Sequence, residues 1–118
     1  MTFLEEIKNI LEDSLAIPVE TGSFSTAPSY DIYAVITPLN DTFDVFCDNI
    51  PRVNIHEARI SLFTKLNYTT TIERIVSLFL EADFTITERL YVDHEDDTGY
   101  HHFAIDVAKE YSFMEDDA

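Results

Sequence analysis

Residues 53–66, VNIHEARISLFTKL, change character at every step. Ala58, Ile60 and Leu62 fall on one side of an extended chain, and Glu57, Arg59, Ser61 and Lys65 fall on the other. A period of two sustained over this length predicts a long β-strand with one face in a core and one outside it. A strand of that kind needs partners for its ladder and a layer to cover its apolar side, so the flanking segments must supply both.

They carry the right patterns. Phe3, Leu4, Ile7, Ile10, Leu11 and Leu15 recur at helical spacing, Thr2 and Glu5 form a capping-box pair, and Pro18 predicts that the helix closes near Ala16. A second helix is predicted in NYTTTIERIVSLFLEAD, with Ile72, Ile75, Val76, Phe79 and Leu80 on one stripe and a second capping box from Thr70 to Glu73. Between the first helix and Tyr30, residues 17–29 read as a long connection of turn formers. YDIYAVITP and FDVFC then read as two short strands joined by the turn formers LNDT. Two last strands follow from alternation. Phe84, Ile86, Leu90 and Val92 oppose Thr85, Thr87, Arg89 and Tyr91, and Phe103, Ile105 and Val107 oppose His102, Ala104 and Asp106. The acidic tail at 112–118 is expected to fray.

The expected order is α-β-β-β-α-β-β, an α+β fold with helices on one face of a mainly antiparallel sheet. One domain spanning 1–118 is expected, since 46% apolar content over 118 residues is enough for one core.

Charge and residue usage exclude several function classes. Only Gly22 and Gly99 are glycines, so no glycine-rich loop can lay successive backbone N–H groups on a phosphate. The net charge of −16 repels nucleic-acid phosphates and anionic membranes, which leaves solubility, or an acidic surface that faces DNA without gripping it. Cys47 is alone, so the chain depends on no internal disulfide, and a reducing cytoplasm fits. The N-terminal segment has acids where a signal peptide needs bases, and no apolar run is long enough to span a membrane.

The stretch YVDHEDDTGYHHFAID gathers His94, His101 and His102 among carboxylates. Adjacent His101 and His102 point to opposite faces of a strand, so a single metal site would have to use one of them with His94 and with Asp93, Glu95, Asp96 or Asp97. A calcium loop beginning at Asp93 requires glycine at its sixth place and glutamate at its twelfth, where this chain has Thr98 and Ala104. Cys47 and His56 flank one bend without a visible orienting group, and 23 acids make coincidental carboxylate pairs uninformative. The stretch reads as the polar tip of a hairpin, and no catalytic residue, metal or cofactor is expected.

The face left uncovered by the helices is the remaining candidate. Glu57, Arg59, Phe63, Lys65, Arg89, Tyr91, His102 and Asp106 are expected on it, together with Ser61 and Thr87. It holds three of the chain's seven basic residues beside two aromatics, which marks it as a surface for another polypeptide.

PSYDIYAVITP, FCDNIPRVNIHEARISLFTK and YVDHEDDTGYHHFAIDVA, in this order around the second helix, resemble the tail-terminator proteins of long-tailed bacteriophages and prophages of Gram-positive bacteria. These are also called tail-completion or head-to-tail joining proteins, and the likeness runs from Met1 to Val107. It implies a non-enzymatic virion protein that forms a ring, commonly a hexamer, on the head-proximal end of the tail. The partners implied are other copies of itself, the major tail tube protein and a head-completion or connector protein. DNA would pass through without specific binding, past acidic loops that repel its phosphates. Three other readings stay open: an acidic DNA-mimic inhibitor of a host enzyme, a small metal-dependent hydrolase centred on His94 and His101, and a neighbouring neck or head-completion protein.

Overall fold

The alternating segment becomes β3 (Ile50–Thr64), paired antiparallel with β2 (Ile32–Cys47) from Ile32 opposite Thr64 to Cys47 opposite Ile50. These are strands of 16 and 15 residues, and at about 3.3 Å per residue they account for the 54 Å long axis of the molecule. The computed structural model describes residues 2–21, 31–47, 50–95 and 99–112, and at 21, 40–47, 50–53 and 112 it describes the backbone only.

Three more strands complete one sheet. The short β1 (Val19–Thr21) runs parallel to β2, β5 (His101–Ser112) pairs antiparallel with β3, and β4 (Thr85–His94) pairs antiparallel with β5. The spatial order is β1-β2-β3-β5-β4, and with helix α1 (Phe3–Asn9) first and α2 (Tyr68–Glu81) between β3 and β4 the chain order is α-β-β-β-α-β-β. This is the α+β arrangement the sequence predicts.

The first two strands differ from the expected pair. LNDT does not turn; it lies inside β2, with a bulge between Pro38 and Asn40. A partner strand as long as β3 offers ladder positions opposite 40–42, and those hydrogen bonds outweigh the local turn preference. The additional strand is β1, inside the expected 17–29 connection, whose residues 22–29 lie outside the described residues, as do 113–118 of the tail.

Both helices pack on one face. Ile7 and Leu11 from the N-terminal helix and Ile75 and Phe79 from α2 are fully buried against Ala34, Ile36, Ala58, Ile60, Leu62, Ile105 and Val107 of the sheet. Each of the isoleucine, leucine, valine and phenylalanine side chains among them contributes about 1.5–3 kcal/mol by leaving water. The Thr2–Glu5 capping box forms as expected, whereas α2 is capped one turn earlier than expected, by the Asn67 side chain on the Thr69 N–H. Leu80 is exposed, at the margin of the stripe set by Ile72, Ile75 and Phe79.

The N-terminal helix continues as a π-helical turn, Ile10–Ser14. Its apolar residues recur in steps of four, at Phe3, Ile7, Leu11 and Leu15. At 100° per residue each step overshoots by about 40°, so a wider turn is what brings Leu15 back toward the core. Ala16 then ends the helix with φ 55°, in the left-handed region where a Cβ is strained. Ala16→Gly is therefore expected to raise stability by about 1 kcal/mol, measurable as a shift in the urea midpoint.

Lys109 ties the layers together. Its Nζ donates to Glu6 Oε2 at 2.6 Å and to the Ala82 carbonyl at 2.9 Å, and it lies over the Phe84 ring. Glu6 also accepts from the Tyr111 hydroxyl, so one carboxylate joins α1 to β5. Among the described residues, no helix is long and apolar enough to cross a membrane.

Candidate interaction surface

The sheet face away from the helices is organised in cross-strand rows. Tyr33, Phe63, His102 and Asp93 form one, Val35, Ser61, Ala104 and Leu90 the next, and Thr37, Arg59, Asp106 and Glu88 the third. Neighbours within a row stand opposite each other across strands, so each row acts as a unit.

The first row is aromatic. Phe63 stacks on Tyr33 at 4.8 Å and on His102 at 4.3 Å, and Tyr100 meets Tyr33 edge-on at 5.2 Å. Lys65, just past the end of β3, lies 5.0 Å above the Tyr100 ring. Burial raises the hydroxyl pKa of both Tyr33 and Tyr100, so each stays a neutral hydroxyl at physiological pH.

The third row is ionic. Arg59 grips Asp106 with Nε on Oδ1 at 2.8 Å and Nη2 on Oδ2 at 3.0 Å, and reaches Glu88 at 3.6 Å. Asp106 is buried although no helix covers it. The paired guanidinium is held further toward its charged form, first by the hydrogen bond to Asp106 and then by that carboxylate's charge. Beyond this row Thr87 donates to Glu57 at 3.4 Å.

Of the residues expected on this face, Glu57, Arg59, Phe63, His102 and Asp106 lie on it and Lys65 borders it. Arg89 and Tyr91 do not. A bulge between Ile86 and Glu88 inserts Thr87, and the parity of β4 reverses beyond it. Arg89 then stands opposite Ile105 and Tyr91 opposite Phe103, on the helix side. There Tyr91 packs near Tyr68 at 5.6 Å, and Arg89 lines a recess with Tyr68, Thr69, Ile72, Glu73 and Phe103. The same reversal sends Leu90, expected in the core, to the uncovered face, where it is 46% exposed. A second bulge leaves Val92 45% exposed. Sequence reading missed Tyr33 and Tyr100; only their aromaticity beside the strand ends could have drawn attention to them.

The histidines separate as parity requires. His101 faces the helix side, where its Nδ1 is 2.9 Å from the Tyr91 hydroxyl and its ring is 4.5 Å from that of His94. His102 faces the other way. Among the described residues, no group of three or more His, Cys, Asp and Glu side chains is placed to hold a metal ion. Asp96, Asp97 and Thr98 of the tip lie outside those residues. Cys47 is opposite Ile50, six strand residues or about 20 Å from His56, so these two do not form a pair.

His102 carries a titration signature. Its Nε2 is buried without a hydrogen-bond partner, and burial lowers its pKa from the ordinary 6.5, opposed by Glu95 and Asp93 and assisted by Arg59. The unfolded chain binds a proton on His102 near 6.5, and the folded chain does so only at lower pH. Stability is therefore expected to fall as pH drops from about 6.5 toward the folded value, and to level off below it. In His102→Phe this part of the pH dependence should vanish, as read from urea midpoints across pH 4–8.

A face of stacked rings, paired ions and small side chains is suited to docking a polypeptide. The chain matches no protein-family model and no curated protein.

Proposed function

We propose that this chain is a structural virion protein that caps the head-proximal end of a phage tail tube as a ring. The observation that carries the reading is where the likeness falls in the fold. The segment YDIYAVITP runs into β2, RISLFTK covers the last residues of β3 and Lys65 just past it, and YVDHEDDTGYHHFAIDVA runs from Tyr91 in β4 to Ala108 in β5, with both helices on the other side of the sheet. An uncovered face with an aromatic row and an ionic row gives such a protein a surface for its neighbours in the virion. Its partners in this reading are further copies of itself, the major tail tube protein below and a head-completion or connector protein above. The net charge of −16 would let DNA slide through the ring without adhering.

Gold-labelled antibody against this chain, applied to virions of the phage or prophage that carries the gene, tests the placement. Label confined to the junction of head and tail is the expected result. Label along the whole tube, or virions that carry none of the protein, would overturn it.

A further inference from the structure

Among the described residues the sheet ends at two edges, and they match. Among the described residues no strand lies outside β1 or outside β4. β4 carries Leu90, Tyr91 and Val92, which are 46%, 41% and 45% exposed, and it has no proline or lysine, though Glu88, Arg89 and Asp93 lie along it. Its bulges bend it at both ends, so the regular register is confined to Glu88–Tyr91, close in length to the three residues of β1.

The two edges also stand at the same height. Following the pairing across the sheet, Glu20 is opposite Val35, Val35 opposite Ser61, Ser61 opposite Ala104, and Ala104 opposite Leu90. By the same route Val19 shares a row with Tyr91, and Thr21 with Arg89. All three residues of β1 therefore sit level with the regular part of β4. Direction agrees as well: β1 runs with β2, and the three antiparallel pairings between β2 and β4 leave β4 running opposite to β1.

Copies related by rotation about an axis along the strands, without rise, keep both height and direction. Such copies bring β4 of one against β1 of the next in the antiparallel sense, which is a head-to-tail contact that can close into a ring. We infer that β4 of one copy adds as a strand to β1 of the next, with Leu90 facing Glu20 across the contact. This rests on the ring reading and says which edges make the ring. Pairing of β4 with a second β4 would instead close at two copies and leave β1 open.

Residues opposite each other on antiparallel strands hold their Cβ atoms about 4.5–5.5 Å apart, close enough for cysteines to bridge with a small adjustment. The test uses tails isolated from the phage carrying Cys47→Ser, Glu20→Cys and Leu90→Cys, mildly oxidised and run under denaturing, non-reducing conditions. A ladder of linked species ending in a closed ring is expected, absent from either single variant. Dimers formed by Leu90→Cys alone would overturn the inference in favour of β4 pairing with itself. Tails of normal length without cross-links would overturn it while leaving the ring reading in place. Hydrogen exchange on the unmodified protein gives the answer without any substitution or assumed register. Among amides 88–91, the alternate ones that point away from β5 should exchange at least tenfold more slowly in assembled tails than in the free chain, and equal exchange of these would overturn the edge pairing. The ring reading fails separately, if loss of the gene leaves tail length unchanged.

Discussion

Replacing Arg59 by alanine lowers the free energy of unfolding by about 2–3 kcal/mol on this account, although the residue belongs to no helix-covered core. Asp106 is only 6% exposed, and both of its oxygens accept from the Arg59 guanidinium. Removing the guanidinium leaves a carboxylate charged, buried and unpaired. A fully buried pair broken in this way costs about 3–5 kcal/mol, and the figure here is smaller because 37% of the Arg59 side chain is in contact with water. Glu88, 56% exposed and 3.6 Å away, adds little, so Glu88→Gln should change stability by less than about 0.5 kcal/mol. Asp106→Leu combined with Arg59→Met should recover most of the loss, because an apolar pair carries no desolvation cost. Urea unfolding of the variants reads all three. A cost below about 1 kcal/mol for Arg59→Ala would mean that Asp106 is hydrated in solution and that the third row is not a fixed unit.

Phe79→Ala is the larger effect, expected at about 3–5 kcal/mol. Its ring is fully buried and meets Phe84 edge-on at 4.9 Å, at the junction of α2 with the start of β4. Truncation removes the transfer free energy and leaves a cavity between two layers that can collapse only in part. Leu80, the next residue, is 54% exposed, and Leu80→Ala should cost less than about 0.5 kcal/mol. Adjacent residues on one helix thus differ nearly tenfold. Comparable losses at 79 and 80 in the same unfolding assay would mean that α2 presents a different face to the sheet.

Much of the fold was legible because periodicity survives local exceptions. Ala58, Ile60 and Leu62 point inward as their alternation requires, and Phe3, Ile7 and Leu11 follow from helical spacing. What was not legible depends on a partner strand or on one inserted residue. LNDT reads as a turn in isolation, and only the presence of a long β3 keeps it extended. Thr87 looks like any other alternating residue, yet as a bulge it reverses the strand from Glu88 to Tyr91, moving Arg89 and Tyr91 to the helix side and Leu90 into solvent. The candidate face was therefore found with its centre correct, at Arg59, Phe63, His102 and Asp106, and its β4 margin inverted. Cross-strand stacking of Tyr33 on Phe63 needs the register between strands 30 residues apart, which no local pattern encodes.

The proposed ring, and the edges inferred to form it, stand or fall with the tail. The most direct measurement is electron microscopy of particles made after deletion of this gene from its phage or prophage, with tail lengths compared against the intact strain. Overlong tails without heads, restored to normal length when the gene is supplied in trans, are the predicted result. Infectious virions with tails of normal length would contradict the account, and the acidic surface would then have to be explained by a partner outside the virion.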